Sequence, residues 1–144
     1  MTIVIASDHA GFNMKQSLVD TLSYKYRFID LGTSSEVHSV DYNDYVRILV
    51  KEVLDHRLFG VLICHTGIGM SIAANRHKLI RAALCCDCES ARLSREHNDA
   101  NVLVLSGRVD LTKSAEILNT FISTSFSNEE RHIRRVAKLH DRYL

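Results

Sequence analysis

Apolar positions along this chain follow two alternating periods. Short runs at Thr2–Ser7, which is β-branched, and at Arg27–Leu31, Phe59–Cys64, Ile80–Cys85 and Val102–Leu105 have the length of buried strands. Between them, apolar residues recur every three or four positions. Met14, Leu18, Val19, Leu22 and Tyr26 form one helical stripe, with Lys15, Asp20 and Lys25 assigned to its solvated side. Tyr45, Val46, Leu49, Val50, Val53 and Leu54 form a second stripe, which Asp41 can cap. A third helix follows Cys64, and a fourth opens behind Asp87 and runs through Asn98. A fifth spans Thr112–Ser125, with Ala115, Ile117, Leu118, Phe121 and Ile122 on one face. A last helix opens at Ser127, where Glu130 three residues later makes a capping-box pattern, and continues to the end of the chain.

Parallel strands need helical crossovers, so this alternation predicts an α/β protein, a three-layer αβα sandwich around a parallel sheet. The polar, serine-rich stretch from Thr33 to Asp41 reads as a loop. No repeat, low-complexity tract or linker divides the sequence, and residues 1–144 are expected to form one domain. In such sheets ligands bind at the carboxyl ends of the strands. Those ends carry Asp8-His9, Cys64-His-Thr66 and Gly107-Arg108, which should converge on one crevice.

Composition narrows the function classes. A net charge of +1 gives no electrostatic case for a nucleic-acid or membrane partner. The opening apolar run is too short for a signal peptide, and no segment approaches the roughly 20 apolar residues of a membrane span. Four cysteines in such a chain argue for free thiols and a cytoplasmic location. Cys85, Cys86 and Cys88 lack a second pair with metal-ligand spacing, and neighbouring strand residues point to opposite faces, so they read as structural.

The stretch Val61–Asn75 carries the sharpest chemistry. An apolar strand ends in Cys64, passes through Gly67-Ile-Gly69 and continues into small helix-forming residues. Backbone N–H groups and the positive end of a helix dipole converge on a thiol placed there. Most cysteines are small buried hydrophobes, and the residues alone give roughly even weight to that reading. Two chemistries fit a reactive thiol. Nucleophilic attack of the phosphatase type needs an arginine six residues on, where Met70 stands. Proton abstraction next to a carbonyl needs only a base and N–H groups to hold the developing oxyanion. A dinucleotide site is disfavoured, because the glycine pattern has Ile72 at its third position and follows the third strand.

The remaining polar positions each have a plain structural reading. Asp8-His9 could be a turn, Tyr42 a helix start, His97-Asn98 a polar helix terminus and Arg108 a loop residue. Arg131, Arg134, Arg135, Lys138 and Arg142 make the last helix basic. Arg131 and Arg135, four apart, could be a solvated face or a clamp on a phosphate.

Taken together, six ordered motifs resemble the type B ribose-5-phosphate isomerases, within a broader group that includes bacterial galactose-6-phosphate isomerase subunits. They are Ser7–Phe12, Val40-Asp-Tyr42, Cys64–Asn75, Ser94–Asn98, Ser106-Gly-Arg108 and Arg131-His-x-x-Arg-Val136. The resemblance implies a Rossmann-like sheet of five parallel strands and a C-terminal helix that extends to a partner subunit. It implies an aldose–ketose isomerase of the pentose phosphate pathway that works without metal or cofactor on a sugar phosphate. Cys64 would move the proton between C1 and C2 through a cis-enediolate. The loop of Thr66, Gly67, Ile68, Gly69, Met70 and Ser71 would be its anion hole. His97 would assist ring opening, with Thr66 and Asp8 also catalytic, Tyr42 near the sugar hydroxyls and Asn98 on the intermediate. His9, Arg108, Arg131 and Arg135 would hold the phosphate. Family members are dimers or pairs of dimers whose sites are built from two subunits. One departure stands beside the base: His65 replaces the usual glycine. A six-carbon sugar phosphate is the alternative substrate, and a non-catalytic phosphosugar-binding module is the alternative from another class.

Overall fold

The structure is a computed structural model that describes residues 1–139. In chain order the elements are β1 (Thr2–Ser7), α1 (Phe12–Leu22), β2 (Arg27–Asp30), α2 (Tyr42–His56), β3 (Phe59–Cys64) and α3 (Ile68–Ala74). They continue with β4 (Ala82–Leu84), α4 (Cys88–Asn98), β5 (Val102–Ser106), α5 (Leu111–Ser123) and α6 (Glu130–Lys138). The strands form one sheet in the order β2-β1-β3-β5-β4, with every pairing parallel.

Both faces of the sheet are covered, which is why its central strands are apolar without alternation. On one face Ile3, Ile5, Val61, Ile63, Leu103 and Leu105 pack against Leu18 and Leu22 of α1, Ala91 of α4, and Ile117, Leu118 and Phe121 of α5. On the other, Val4, Ala6, Leu62, Cys64, Val102 and Val104 meet Val46, Leu49, Val50 and Val53 of α2, and Met70 and Ala74 of α3. The chain moves outward from β1 to β2, then returns across β1 to place β3 on its other side. That reversal opens a crevice at the carboxyl ends of β1 and β3.

The structure refines several sequence expectations. Lys15 is not on the solvated side of α1; it is fully buried, because it shares a face with Leu18 and Leu22 at helical spacing. Tyr26 is buried but lies beyond the end of α1, and Leu54 is exposed. The fourth strand keeps only Ala82–Leu84. Asp41 occupies the N-cap position of α2 without a side-chain cap, whereas Asp87 caps α4 through Ser90 in a reciprocal pair. That pairing holds the Asp87 carboxyl below its ordinary range. Asp99, left-handed at φ 47°, rather than Asn98, closes α4. The last helix starts at Glu130 behind Glu129, and Ser127 instead hydrogen-bonds His132 Nδ1 at 2.7 Å. Arg142 lies outside the described residues.

Candidate active site

Because β1, β3 and β5 are neighbours, the polar exits of these strands converge. The Gly107 N–H donates to the Cys64 carbonyl at 2.8 Å, and Ser106 Oγ donates to the His65 carbonyl at 2.9 Å. The same Oγ accepts the Arg108 N–H at 3.2 Å. These bonds staple the loop after β5 to the loop after β3. Arg108 itself is exposed at the rim.

Cys64 is buried at the end of β3, and its sulfur accepts the Gly67 N–H at 3.1 Å. Gly67 makes that bond possible. Its φ of +79° turns the chain from strand to helix, and a β-carbon there would lie 2.5 Å from Leu84 Cδ1. Thr66 Oγ1 accepts the Ile68 N–H at 3.3 Å, and the first backbone bond of α3 runs from Ser71 N–H to Gly67 O. The amides of Gly69 and Met70 precede that bond and therefore have no partner within the helix. The Tyr42 ring lies over this turn, so close that a β-carbon on Gly69 would sit 2.7 Å from its Cζ. Ile68 is exposed, Ser71 half-buried and Met70 fully buried in the core beneath.

Asp8 stands at the neighbouring exit of β1, 7 % exposed, and accepts the Gly11 N–H at 2.9 Å. His9 is half-buried, and its Nδ1 accepts the Val40 N–H at 3.2 Å, which leaves the ring proton on Nε2. Asp8, His9, Tyr42, Cys64, the loop from Thr66 to Ser71 and Arg108 thus line one end of the sheet. A cleft of about 360 Å³ continues from Tyr42 and Gly69 between α2 and α3, past Arg47 and Arg76.

The other expected residues are not there. The crossover from β4 to β5 requires α4 to run back toward the amino ends of the strands, which carries His97 and Asn98 to the far edge. Eleven helical residues span about 16 Å, roughly the depth of the sheet. Asp99 fixes that end by pairing with Arg81 and Arg95, both at 2.8 Å. Arg95 is buried with its guanidinium 4.7 Å from the Phe59 ring centroid. The segment leading into α6 is tied to α4 by Ser127 N–H donating to Glu96 O at 3.0 Å. The His132 ring then packs on His97 with centroids 4.3 Å apart. Burial, followed by the nearby His97 and Arg131 charges, lowers the pKa of His132. Arg131 and Arg135 are exposed on the same helix, and Arg131 Nε donates to Glu129 Oε2 at 2.7 Å.

Sequence reasoning missed three contributors. Lys15 had a signal, its spacing from Leu18 and Leu22. Asp99 had one too, its i,i+4 spacing from Arg95, and Ser106 opens the Ser106-Gly-Arg108 motif, but their bonds to Arg81 and His65 join residues far apart in sequence. Among the described residues no group of His, Cys, Asp and Glu side chains is placed to hold a metal ion, and no helix is long and apolar enough to cross a membrane. Cys85 is buried, which raises its pKa, while Cys86 is exposed, as expected for adjacent residues leaving a strand.

A doubly wound sheet with a thiol, an acid, an imidazole and unpaired amides at its switch point defines a class: small α/β enzymes that act on anionic substrates. The particular family follows from comparison. Residues 3–139 match the model of the Ribose/Galactose Isomerase family, and the chain belongs to that family. A Rickettsia bellii protein, named a sugar phosphate isomerase with no sugar specified, is 43% identical over 140 residues, covering 95% of this chain and 96% of its own. The ribose 5-phosphate isomerase of Thermotoga maritima superposes with a TM-score of 0.93 at 48% identity, over 96% of this chain and 97% of that one. Ribose-5-phosphate isomerase B of Mycoplasma genitalium, solved with bound ribulose 5-phosphate, gives 0.90 at 36% identity over 96% and 93%.

Proposed function

We propose that the chain interconverts D-ribose 5-phosphate and D-ribulose 5-phosphate, with Cys64 as the general base. The observation that carries this reading is the sulfur of Cys64, bonded by the Gly67 amide and set beside Asp8, His9 and Tyr42 at the switch of the sheet. The solved relative that holds ribulose 5-phosphate supports the choice of substrate.

In the aldose-to-ketose direction the Cys64 thiolate takes the C2 proton, and the electron pair moves into a C1–C2 double bond as the C1 carbonyl oxygen takes negative charge. The resulting cis-enediolate is held by the amides around Gly69 and Met70, with Thr66 and Ser71 at the same turn. Cys64 then returns its proton to C1 while the O2 hydroxyl proton passes to O1, so C2 becomes the carbonyl carbon and C1 a hydroxymethyl group. The substrate is mostly a closed ring, and His97, with Asp8 and Thr66 at the opposite end of the sugar, moves the proton that opens it. Tyr42 borders the sugar hydroxyls and Asn98 the intermediate. His9 offers Nε2–H to the phosphate, joined by Arg108, Arg131 and Arg135.

His97, Asn98 and the α6 arginines lie at the far edge of the sheet from Cys64, so one chain does not complete this site. The reading therefore takes the working unit as a homodimer, alone or paired into a tetramer. In it α4 and α6 of one copy face the Cys64 crevice of the other, and exposed Ile68, Ile72 and Ile133 beside these groups supply apolar surface for the contact.

The test is a coupled isomerase assay on ribose 5-phosphate with Cys64→Ser. Removal of the base is expected to lower kcat by about 100-fold or more. Unchanged turnover would remove Cys64 from that role. Allose or galactose 6-phosphate turned over faster than ribose 5-phosphate would move the substrate to six carbons.

A further inference from the structure

Lysine is among the residues least often fully buried, yet Lys15 is completely inaccessible within α1. Its ammonium has three hydrogen-bond acceptors: both carboxylate oxygens of Asp30 at 2.6 Å and the Thr33 carbonyl at 2.8 Å. The Phe12 ring centroid lies 5.4 Å away. Asp30 Oδ1 also accepts the Gly32 N–H at 2.9 Å. Gly32 and Thr33 are in turn bonded to the backbone of Ser7, the residue before Asp8, by Ser7 N–H to Gly32 O at 2.7 Å and Thr33 N–H to Ser7 O at 2.8 Å.

Two further contacts extend this attachment. Asn13 Nδ2 donates to Glu36 Oε2, and the Val40 N–H donates to His9 Nδ1 at 3.2 Å. His9, Asn13 and Lys15 therefore hold Val40, Glu36 and Thr33 in turn, lacing the loop from 33 to 40 along the junction of β1 and α1. Only the Lys15 end of the lacing is buried; Asn13 and Glu36 are exposed. The exposed contacts compete with water, whereas the buried ammonium has no alternative partners.

We infer that Lys15 is a positioning residue for substrate binding: it anchors the loop that aims the Val40 N–H at His9, and so keeps the His9 ring proton on Nε2, facing the crevice. A histidine fixed in this tautomer is a hydrogen-bond donor to the site, matched to an anionic oxygen. The loop then leads directly into Tyr42, so the same anchor sets the entry to α2. This inference rests on the reading of His9 as a phosphate ligand.

Lys15→Met keeps most of the length of the side chain and removes the ammonium that anchors the loop. It is expected to raise KM for ribose 5-phosphate, and the inhibition constant of inorganic phosphate, by about 10-fold each, with kcat within about threefold of the parent. Asp30→Asn, a milder change that keeps the side-chain shape, should raise both by about threefold and covers the case in which Lys15→Met does not fold. Nitrogen-15 resonances of the His9 ring provide a readout independent of catalysis. The parent protein should show one tautomer, protonated at Nε2, and each folded variant a mixture. Variants that are less heat-stable but keep the parent KM, phosphate inhibition and single tautomer would make Lys15 a purely structural residue and overturn the inference. A parent protein without isomerase activity would instead count against the proposed substrate, and the His9 resonances would still decide whether Lys15 sets the tautomer.

Discussion

The two ends of the sheet are built on different principles. At the carboxyl edge, chemistry sits on loops where backbone amides donate many of the bonds: Gly67 N–H to the Cys64 sulfur, Gly107 N–H to the Cys64 carbonyl and Val40 N–H to His9. At the amino edge, His97 and Asn98 end a helix locked by side chains, with Asp99 between Arg81 and Arg95 and the His132 ring against His97. Backbone amides aimed at a point suit the stabilisation of a transient negative charge, because they need not reorganise as it forms. Side chains on helix surfaces suit contact with a separate body. The difference teaches that the carboxyl edge is assembled by the fold itself, whereas the amino edge presents a finished surface outward.

Perturbing each edge should give different signatures. The largest effect is expected for Gly67→Ala, which puts a methyl at φ +79° and against Leu84. It should cost about 1–3 kcal/mol in urea unfolding and lower kcat together with stability. A variant of parental stability would mean that the turn at the thiol tolerates a side chain. Arg135→Ala, on the exposed amino-edge helix, should leave stability almost unchanged and raise KM by about 10-fold. No kinetic change would return α6 to a solvated face.

The smallest effect separates the edges by pH. His132 has a folded-state pKa below its ordinary 6.5, chiefly through burial. The unfolded chain therefore binds its proton first as pH falls. The stability that His132 contributes is complete above about pH 6.5 and is lost as pH drops toward the folded value. His132→Phe should flatten the pH dependence of Tm between pH 7.5 and 5. An unaltered slope would assign it to other groups.

Much of this arrangement was legible in the chain. The apolar runs of β1, β3 and β5 and the stripes of α2 and α5 follow from periodicity, since burial on two sheet faces leaves little freedom in those residues. The carboxyl-edge site was legible for the same reason: residues just after strands must gather there once the strands are parallel. Lys15 was misplaced because a charged side chain normally marks a solvated face, and only the distant Asp30 and Thr33 make its burial tolerable. Ser127 matched a capping box, but the His132 ring claimed its hydroxyl and the helix began later. The separation of His97 from Cys64 follows from the return direction of α4, which spacing alone does not convey until the strand order is known.

That separation makes the central claim testable in a single measurement. Cys64→Ser and His97→Asn, each nearly inactive alone, are mixed, unfolded and refolded together. If each site takes its thiol from one copy and its imidazole from the other, mixed dimers hold one intact and one doubly altered site. Random pairing makes half the dimers mixed, so isomerase activity should return to about a quarter of the parent value. Activity that stays at the sum of the two separate variants would contradict a site shared between two copies.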